Sequence, residues 1–98
     1  MEIRKERTGN ALTLSLSGRL ETTTAPALDA VVKTELNDVD ALTFDLAGLE
    51  YISSAGLRVL LSAQKTMNKQ GTMRVCGASE IVREIFDITG FTEILTVV

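Results

Sequence analysis

No histidine occurs anywhere in the 98 residues, and that gap removes more chemistry than any other. Histidine is the side chain that titrates near neutral pH, the commonest metal ligand and the usual base beside a nucleophilic serine or cysteine. Tryptophan is also missing, and cysteine and proline occur once each, as Cys76 and Pro26. A lone cysteine forms neither an intramolecular disulfide nor a multi-thiolate zinc site. Cys76 stands in the run Met73-Arg74-Val75-Cys76, which reads as a strand. It is expected to be a small buried hydrophobe rather than a redox thiol, because Arg74 is its one evident basic neighbour. Neither a Gly-x-Ser-x-Gly elbow nor a Gly-x-x-x-x-Gly-Lys-Ser/Thr phosphate loop is present. The expectation is a protein without catalytic machinery, cofactor or metal.

Positive charge is equally scarce. Ten Lys and Arg face thirteen Asp and Glu, for a net charge of −3. The one basic cluster, Arg4, Lys5 and Arg7, is interrupted by Glu6. A phosphate backbone needs clustered cations, so nucleic acid is excluded as a direct partner. No apolar run approaches the roughly 20 residues that span a bilayer, and Met1–Lys5 lacks the apolar centre of a signal peptide. A soluble, cytoplasmic chain with no membrane partner is expected.

What the chain does have is aliphatic material, with 45% hydrophobic residues against 23% charged. That balance at this length predicts one domain, residues 1–98, with helices packed on a sheet. Leu12, Leu14 and Leu16 alternate with Thr13, Ser15 and Ser17, the period of a half-buried strand. Glu2–Arg7 can pair with Asn10–Ser17 through a turn at Thr8-Gly9-Asn10, and Gly18 is expected to break the second strand. Thr22, Thr23 and Thr24 offer N-cap oxygens, Pro26 suits a first helical turn, and Leu28, Val31, Val32 and Leu36 recur at helical spacing. Ala41–Leu46 reads as an interior parallel strand, followed by a loop over Ala47–Ser53. A second helix carries Leu57, Leu60, Leu61, Gln64 and Met67 on one stripe and stops at Gln70-Gly71. Thr72–Cys76 is a further strand; a third helix runs from Ser79 as N-cap to Gly90, with Val82, Ile85 and Phe86 inward. Ile94–Val98 can add a last short strand. The predicted architecture is α/β: a mostly parallel mixed sheet of four or five strands, the first pair antiparallel, carrying three or four helices.

Most of this pattern suits many α/β domains, but the stretch Asp45–Leu61 is more specific. Ser53 and Ser54 stand where a loop enters a helix, and Gly56 occupies the first turn. Amides there have no intrahelical partner and the helix dipole favours negative charge, by about 0.3–1 kcal/mol. A phosphate on Ser54 would add a charge of roughly −1.5 to −2 without requiring the fold to open. Two readings stand at this point: a serine that only caps the helix, or a serine that carries a modification. Gly56 likewise either permits close packing of helix on strand or lets a partner approach the backbone.

The segment Tyr51-Ile52-Ser53-Ser54-Ala55-Gly56-Leu57 resembles the signature of the STAS domain of anti-sigma factor antagonists. Leu16-Ser17-Gly18-Arg19-Leu20-Glu21 is similar to the strand and Gly-x-Leu-acid run of that family. Phe44-Asp45-Leu46 resembles its central strand. Gly71-Thr72-Met73 and Ile85-Phe86-Asp87-Ile88-Thr89-Gly90-Phe91 resemble its closing strand and helix. The resemblance extends over essentially the whole chain in the right order.

The resemblance implies a regulatory partner-switching role. In the family an anti-sigma factor that is also a serine kinase phosphorylates the antagonist. The unphosphorylated antagonist binds that kinase and frees the sigma factor, and a serine phosphatase resets the switch. The family pattern is commonly Asp-Ser-Ser-Gly-Leu with the first serine modified. Alignment on Gly56-Leu57 places that serine at Ser54, with Ala55 for the second serine and Ser53 for the aspartate. Ser53 is thereby an alternative acceptor, and Glu21 stands where the family often has aspartate.

The partner surface implied is Glu21, Asp45, Ser53, Ala55, Gly56 and Arg58, on a protein expected to be a monomer when free. Asp45 either lies beside the Ser54 loop or binds loop amides of its own. Arg58, about one turn after Ser54, either faces the kinase or is merely solvated. The other reading of the whole chain is a scaffold or interaction subunit of a signalling or transport complex that is not phosphorylated.

Overall fold

A computed structural model describes residues 1–98. The hairpin forms where expected. β1 (Glu2–Thr8) and β2 (Ala11–Leu20) pair antiparallel from Glu2 opposite Ser17 to Thr8 opposite Ala11. Gly9 turns the corner at φ 60°, a backbone angle at which a side chain is strained. β2 does not end at Gly18. The strand runs on to Leu20, and Gly18, at φ 91°, absorbs an irregularity within it.

α1 (Ala25–Glu35) follows, with Pro26 in its first turn. Thr24 is its N-cap residue, but its hydroxyl makes no cap bond. It accepts from the Glu21 amide at 2.9 Å and donates to the Arg19 carbonyl at 2.8 Å, bracing the turn before the helix. β3 (Ala41–Ile52) is twice the expected length. The residues anticipated as a loop, Ala47–Ser53, are strand through Ile52. α2 (Ser54–Asn68), β4 (Thr72–Cys76) and α3 (Glu80–Thr89) complete the regular elements, and a 3-10 turn spans Phe91–Glu93. The ends of α3 follow its sequence signals. The Ser79 hydroxyl accepts from the Val82 amide at 3.3 Å, and Gly90 closes the helix at φ 80°.

The sheet order is β1-β2-β3-β4, with β2, β3 and β4 parallel. The expected fifth strand is reduced to a single bridge, Val97 to Val75. Leu12, Leu14 and Leu16 of β2, Leu42, Phe44 and Leu46 of β3, and Met73 and Val75 of β4 point to one face. There they join Leu28 and Val32 of α1, Leu57, Leu60 and Met67 of α2, and Val82 and Phe86 of α3 in one apolar cluster. The alternate residues Thr13, Ser15, Thr43 and Asp45 are half-buried on the other face. Cys76 is also only half-buried, a departure from the buried position expected of it. Leu61 and Val31 sit at the margins of their stripes, while Val59 and Ala63 fill the places against the sheet.

The length of β3 has a specific cause. Two steps along β2, Ser15 to Ser17, match three along β3, Asp45 to Gly48. One step, Gly18 to Arg19, then matches two, Leu49 to Tyr51. Each shift bulges one extra residue out of β3. The inward residues of its second half, Leu46, Leu49 and Ile52, are therefore three apart instead of two. These bulges carry β3 to the level at which α2 begins.

Candidate partner-binding surface

The start of α2 is held by the ends of the two central strands. Leu20 pairs with Ile52 across β2 and β3, and the Leu20 carbonyl accepts the Ser53 amide at 2.9 Å. Both side chains are fully buried. The first intrahelical bond runs from the Leu57 amide to the Ser53 carbonyl at 2.9 Å. The amides of Ser54, Ala55 and Gly56 thus lie ahead of the hydrogen-bonded ladder, as at any helix start.

The two serines differ sharply. Ser53 is the N-cap residue, yet its side chain makes no cap bond; its hydroxyl oxygen is buried without a hydrogen-bond partner. Ser54, the first helical residue, is exposed. An enzyme arriving from solvent meets the Ser54 hydroxyl and not that of Ser53.

Gly56 faces the core. A Cβ there would lie 2.6 Å from Cγ of Leu20 and 2.9 Å from Cγ1 of Ile52. Of the two readings of this glycine, close packing of helix on strands is the one realised. It seats α2 on the strand ends.

Around Ser54 the structure gathers several of the residues anticipated from sequence. Glu21 directly follows Leu20, and its carboxylate takes a hydrogen bond and ion pair from Arg19 Nε at 2.9 Å. The Arg19 guanidinium lies 4.6 Å from the centre of the Tyr51 ring, its register partner in β3. Ala55 and Arg58 line a groove of about 340 Å³ between the two helices, with Val59 on the α2 side and Thr22, Ala25, Pro26 and Asp29 on the other. Its floor is apolar, Ala25 and Val59 being buried. Asp29 is paired with Lys33 at 2.8 Å. Arg58 is exposed and takes part in none of the ion pairs.

Asp45 is elsewhere. It lies mid-strand between Ser15 and Cys76, and its Oδ1 accepts from the Ala47 amide at 3.0 Å. The remaining strand to Ile52 puts it on the order of 20 Å from the start of α2, at about 3.3 Å per residue. The expectation that it could adjoin the Ser54 loop depended on Ala47–Ser53 being a loop. With Ala47–Ile52 in β3, Asp45 serves its own bulge. Arg19, Tyr51, Thr22 and Asp29, by contrast, were not anticipated at the site. Arg19 and Tyr51 meet only because β3 extends far enough to put them in register.

Comparison with known proteins follows the same lines. The model of the STAS domain family matches residues 2–98. A protein of Bordetella bronchiseptica bearing the name "Putative anti-sigma factor antagonist BtrV" is 33% identical over 99 residues, covering 99% of this chain and 85% of that protein. The anti-sigma-B factor antagonist of Listeria monocytogenes is 27% identical over 95 residues, covering 95% of this chain and 83% of that one. Among solved structures, an anti-sigma factor antagonist from Mycobacterium paratuberculosis superposes with a TM-score of 0.89 at 25% identity, over 98% of this chain and 83% of that one. The unphosphorylated form of the antagonist SpoIIAA has the same fold, with a TM-score of 0.86 at 18% identity over 99% and 88% of the respective chains. A match over nearly the whole length and a shared fold agree: the chain belongs to the STAS domain family, in its anti-sigma factor antagonist branch.

Proposed function

We propose that this chain is a phosphorylation-controlled antagonist. In its unphosphorylated form it binds an anti-sigma factor that is also a serine kinase, and so releases a sigma factor. Phosphorylation of Ser54 ends that binding, and a serine phosphatase restores it. The observation that carries the reading is the contrast between the two serines at the start of α2: Ser54 is exposed, and the Ser53 oxygen is buried.

The transfer itself needs nothing from this chain beyond an accessible hydroxyl. Ser54 Oγ forms a bond to the γ-phosphorus of ATP while the bond to the β-γ bridging oxygen breaks. The hydroxyl proton goes to a base of the kinase, and ADP leaves. The product phosphate sits on the first residue of a helix, where the dipole favours it by about 0.3–1 kcal/mol, so the fold tolerates it. A partner pressed against the same surface must bury or repel a dianion. Like charges across an interface cost several kcal/mol, and each 1.4 kcal/mol is tenfold in affinity.

Incubation of the chain with its cognate anti-sigma kinase and labelled ATP tests the site. Label is expected on the wild type and on Ser53→Ala, and none on Ser54→Ala. Label persisting on Ser54→Ala would reject Ser54.

The second reading is a scaffold subunit that is never phosphorylated, and the serine standing at position 53 in place of the family's aspartate favours it. Ser54→Asp separates the two. Loss of partner binding by a folded Ser54→Asp protein fits the switch; unchanged binding fits the scaffold.

A further inference from the structure

The cations around the start of α2 are not equivalent. Arg19, at the end of β2, is engaged by Glu21 at 2.9 Å and by the Tyr51 ring at 4.6 Å. Lys33 of α1 is engaged by Asp29 at 2.8 Å. Glu50 of β3 is exposed and adds a further negative charge on the strand side. Arg58 alone among these cations has no carboxylate, although it lines the same groove as Asp29. It lies four residues after Ser54 on the same helix. Residues so spaced lie one above the other, with Cβ atoms about 5–6 Å apart. Helical side chains lean toward the N-terminus, so a side chain as long as that of Arg58 is able to reach a group on Ser54.

We infer that phosphate on Ser54 is captured within the chain by Arg58. The inference rests on Ser54 being the modified residue and specifies a second effect of that modification. A guanidinium offers a planar fork of donors that suits phosphate oxygens. Capture takes the one unpaired cation out of the groove between α1 and α2. Phosphorylation therefore does more than add negative charge at Ser54: it withdraws a positive charge that the unmodified groove presents to a partner.

The test requires no kinase. Phosphoserine is installed at position 54 of the full chain during translation, and its second ionisation is followed by ³¹P NMR. Free phosphoserine loses that proton near pH 6. Arg58 favours the dianion, so Arg58→Gln is expected to raise the phosphate pKa by about 0.2–0.4 unit. Arg58→Lys should retain most of the wild-type value, and 0.5 M salt should shrink the difference. Lys33→Gln, which removes a cation already paired with Asp29, should move the value far less. The Arg58 Nε–H resonance should shift when phosphoserine replaces serine. An unmoved phosphate titration in Arg58→Gln overturns the inference, as does an equal shift in Lys33→Gln. Failure of a kinase to label Ser54 would defeat the proposed function while leaving this titration unaffected, so the two can fail separately.

Discussion

Gly56 rests against Leu20 so closely that the smallest added side chain would overlap it, at 2.6 Å from the Leu20 Cγ. Leu20 and Ile52 are both fully buried, so neither can retreat into solvent. Gly56→Ala sets a gain in helix propensity of up to about 1 kcal/mol against overpacking of roughly 1–3 kcal/mol. A net loss of about 1–2 kcal/mol is expected from urea denaturation. Because the displaced element is the first turn of α2, the amide resonances of Ser53–Leu57 should shift most in the folded variant.

Replacing the N-cap serine should not carry the usual penalty. Ser, Thr, Asp or Asn at an N-cap typically contributes about 1 kcal/mol over alanine through a side-chain bond to the helix amides. Ser53 makes no such bond, and its oxygen is buried without a partner. Ser53→Ala removes an unsatisfied group, so unfolding free energy should stay level or rise by about 0.5–1 kcal/mol. A loss of 1 kcal/mol or more in chemical denaturation would contradict the buried, unbonded hydroxyl.

Asp45 should matter for stability and not for the switch. Asp45→Ala forfeits the 3.0 Å bond from the Ala47 amide and loosens the first β3 bulge, at a cost of about 1 kcal/mol. Phosphorylation of Ser54 and partner affinity, measured beside wild type, should be unchanged. A tenfold fall in affinity would return Asp45 to the binding surface.

The Lys5–Glu35 pair ties β1 to the end of α1 at 2.8 Å. The hydrogen bond from Lys5 and its positive charge, with a smaller contribution from Arg7, hold the Glu35 carboxyl below the ordinary glutamate range. Folding thus favours the ionised form. The associated stability is complete above the unfolded carboxyl's pKa of about 4.3 and is lost as pH falls through the lower folded value. Lys5→Ala should return the Glu35 titration, followed by carboxyl NMR, to the ordinary range. Any difference in melting temperature between variant and wild type should vanish in acid and shrink with salt, because the pair is exposed.

How far the sequence could be read follows from how each element states itself locally. Helix ends are written in single residues, and so Ser79, Gly90 and the start of α2 were recoverable. Alternation identified Leu12–Leu16, helical spacing and turn residues gave the order of the other elements, and the resemblance followed the same order. The second half of β3 was not recoverable by the same logic. Its inward residues Leu46, Leu49 and Ile52 recur every third position, and exposed Ala47 and Gly48 interrupt the apolar run. Strand periodicity is two, so a doubly bulged strand resembles a loop until its partner is known. The misplacement of Asp45 and the unanticipated meeting of Arg19 with Tyr51 both descend from that one feature. Gly18 departs from its expectation for a related reason: a glycine at positive φ can end a strand or bend it, and the choice depends on the neighbour.

The parallel pairing of β2 with β3 has a kinetic consequence. Its first rung joins Ala11 to Ala41, so a loop of about thirty residues closes before the pair is rewarded, whereas the β1–β2 hairpin closes locally. The platform beneath the first turn of α2 consists of Leu20 from one strand of that pair and Ile52 from the other. It exists only once the crossover has closed. A nascent or unfolded chain carries the same serine without the surface that displays it, so any partner that reads that surface takes account only of copies that have finished folding.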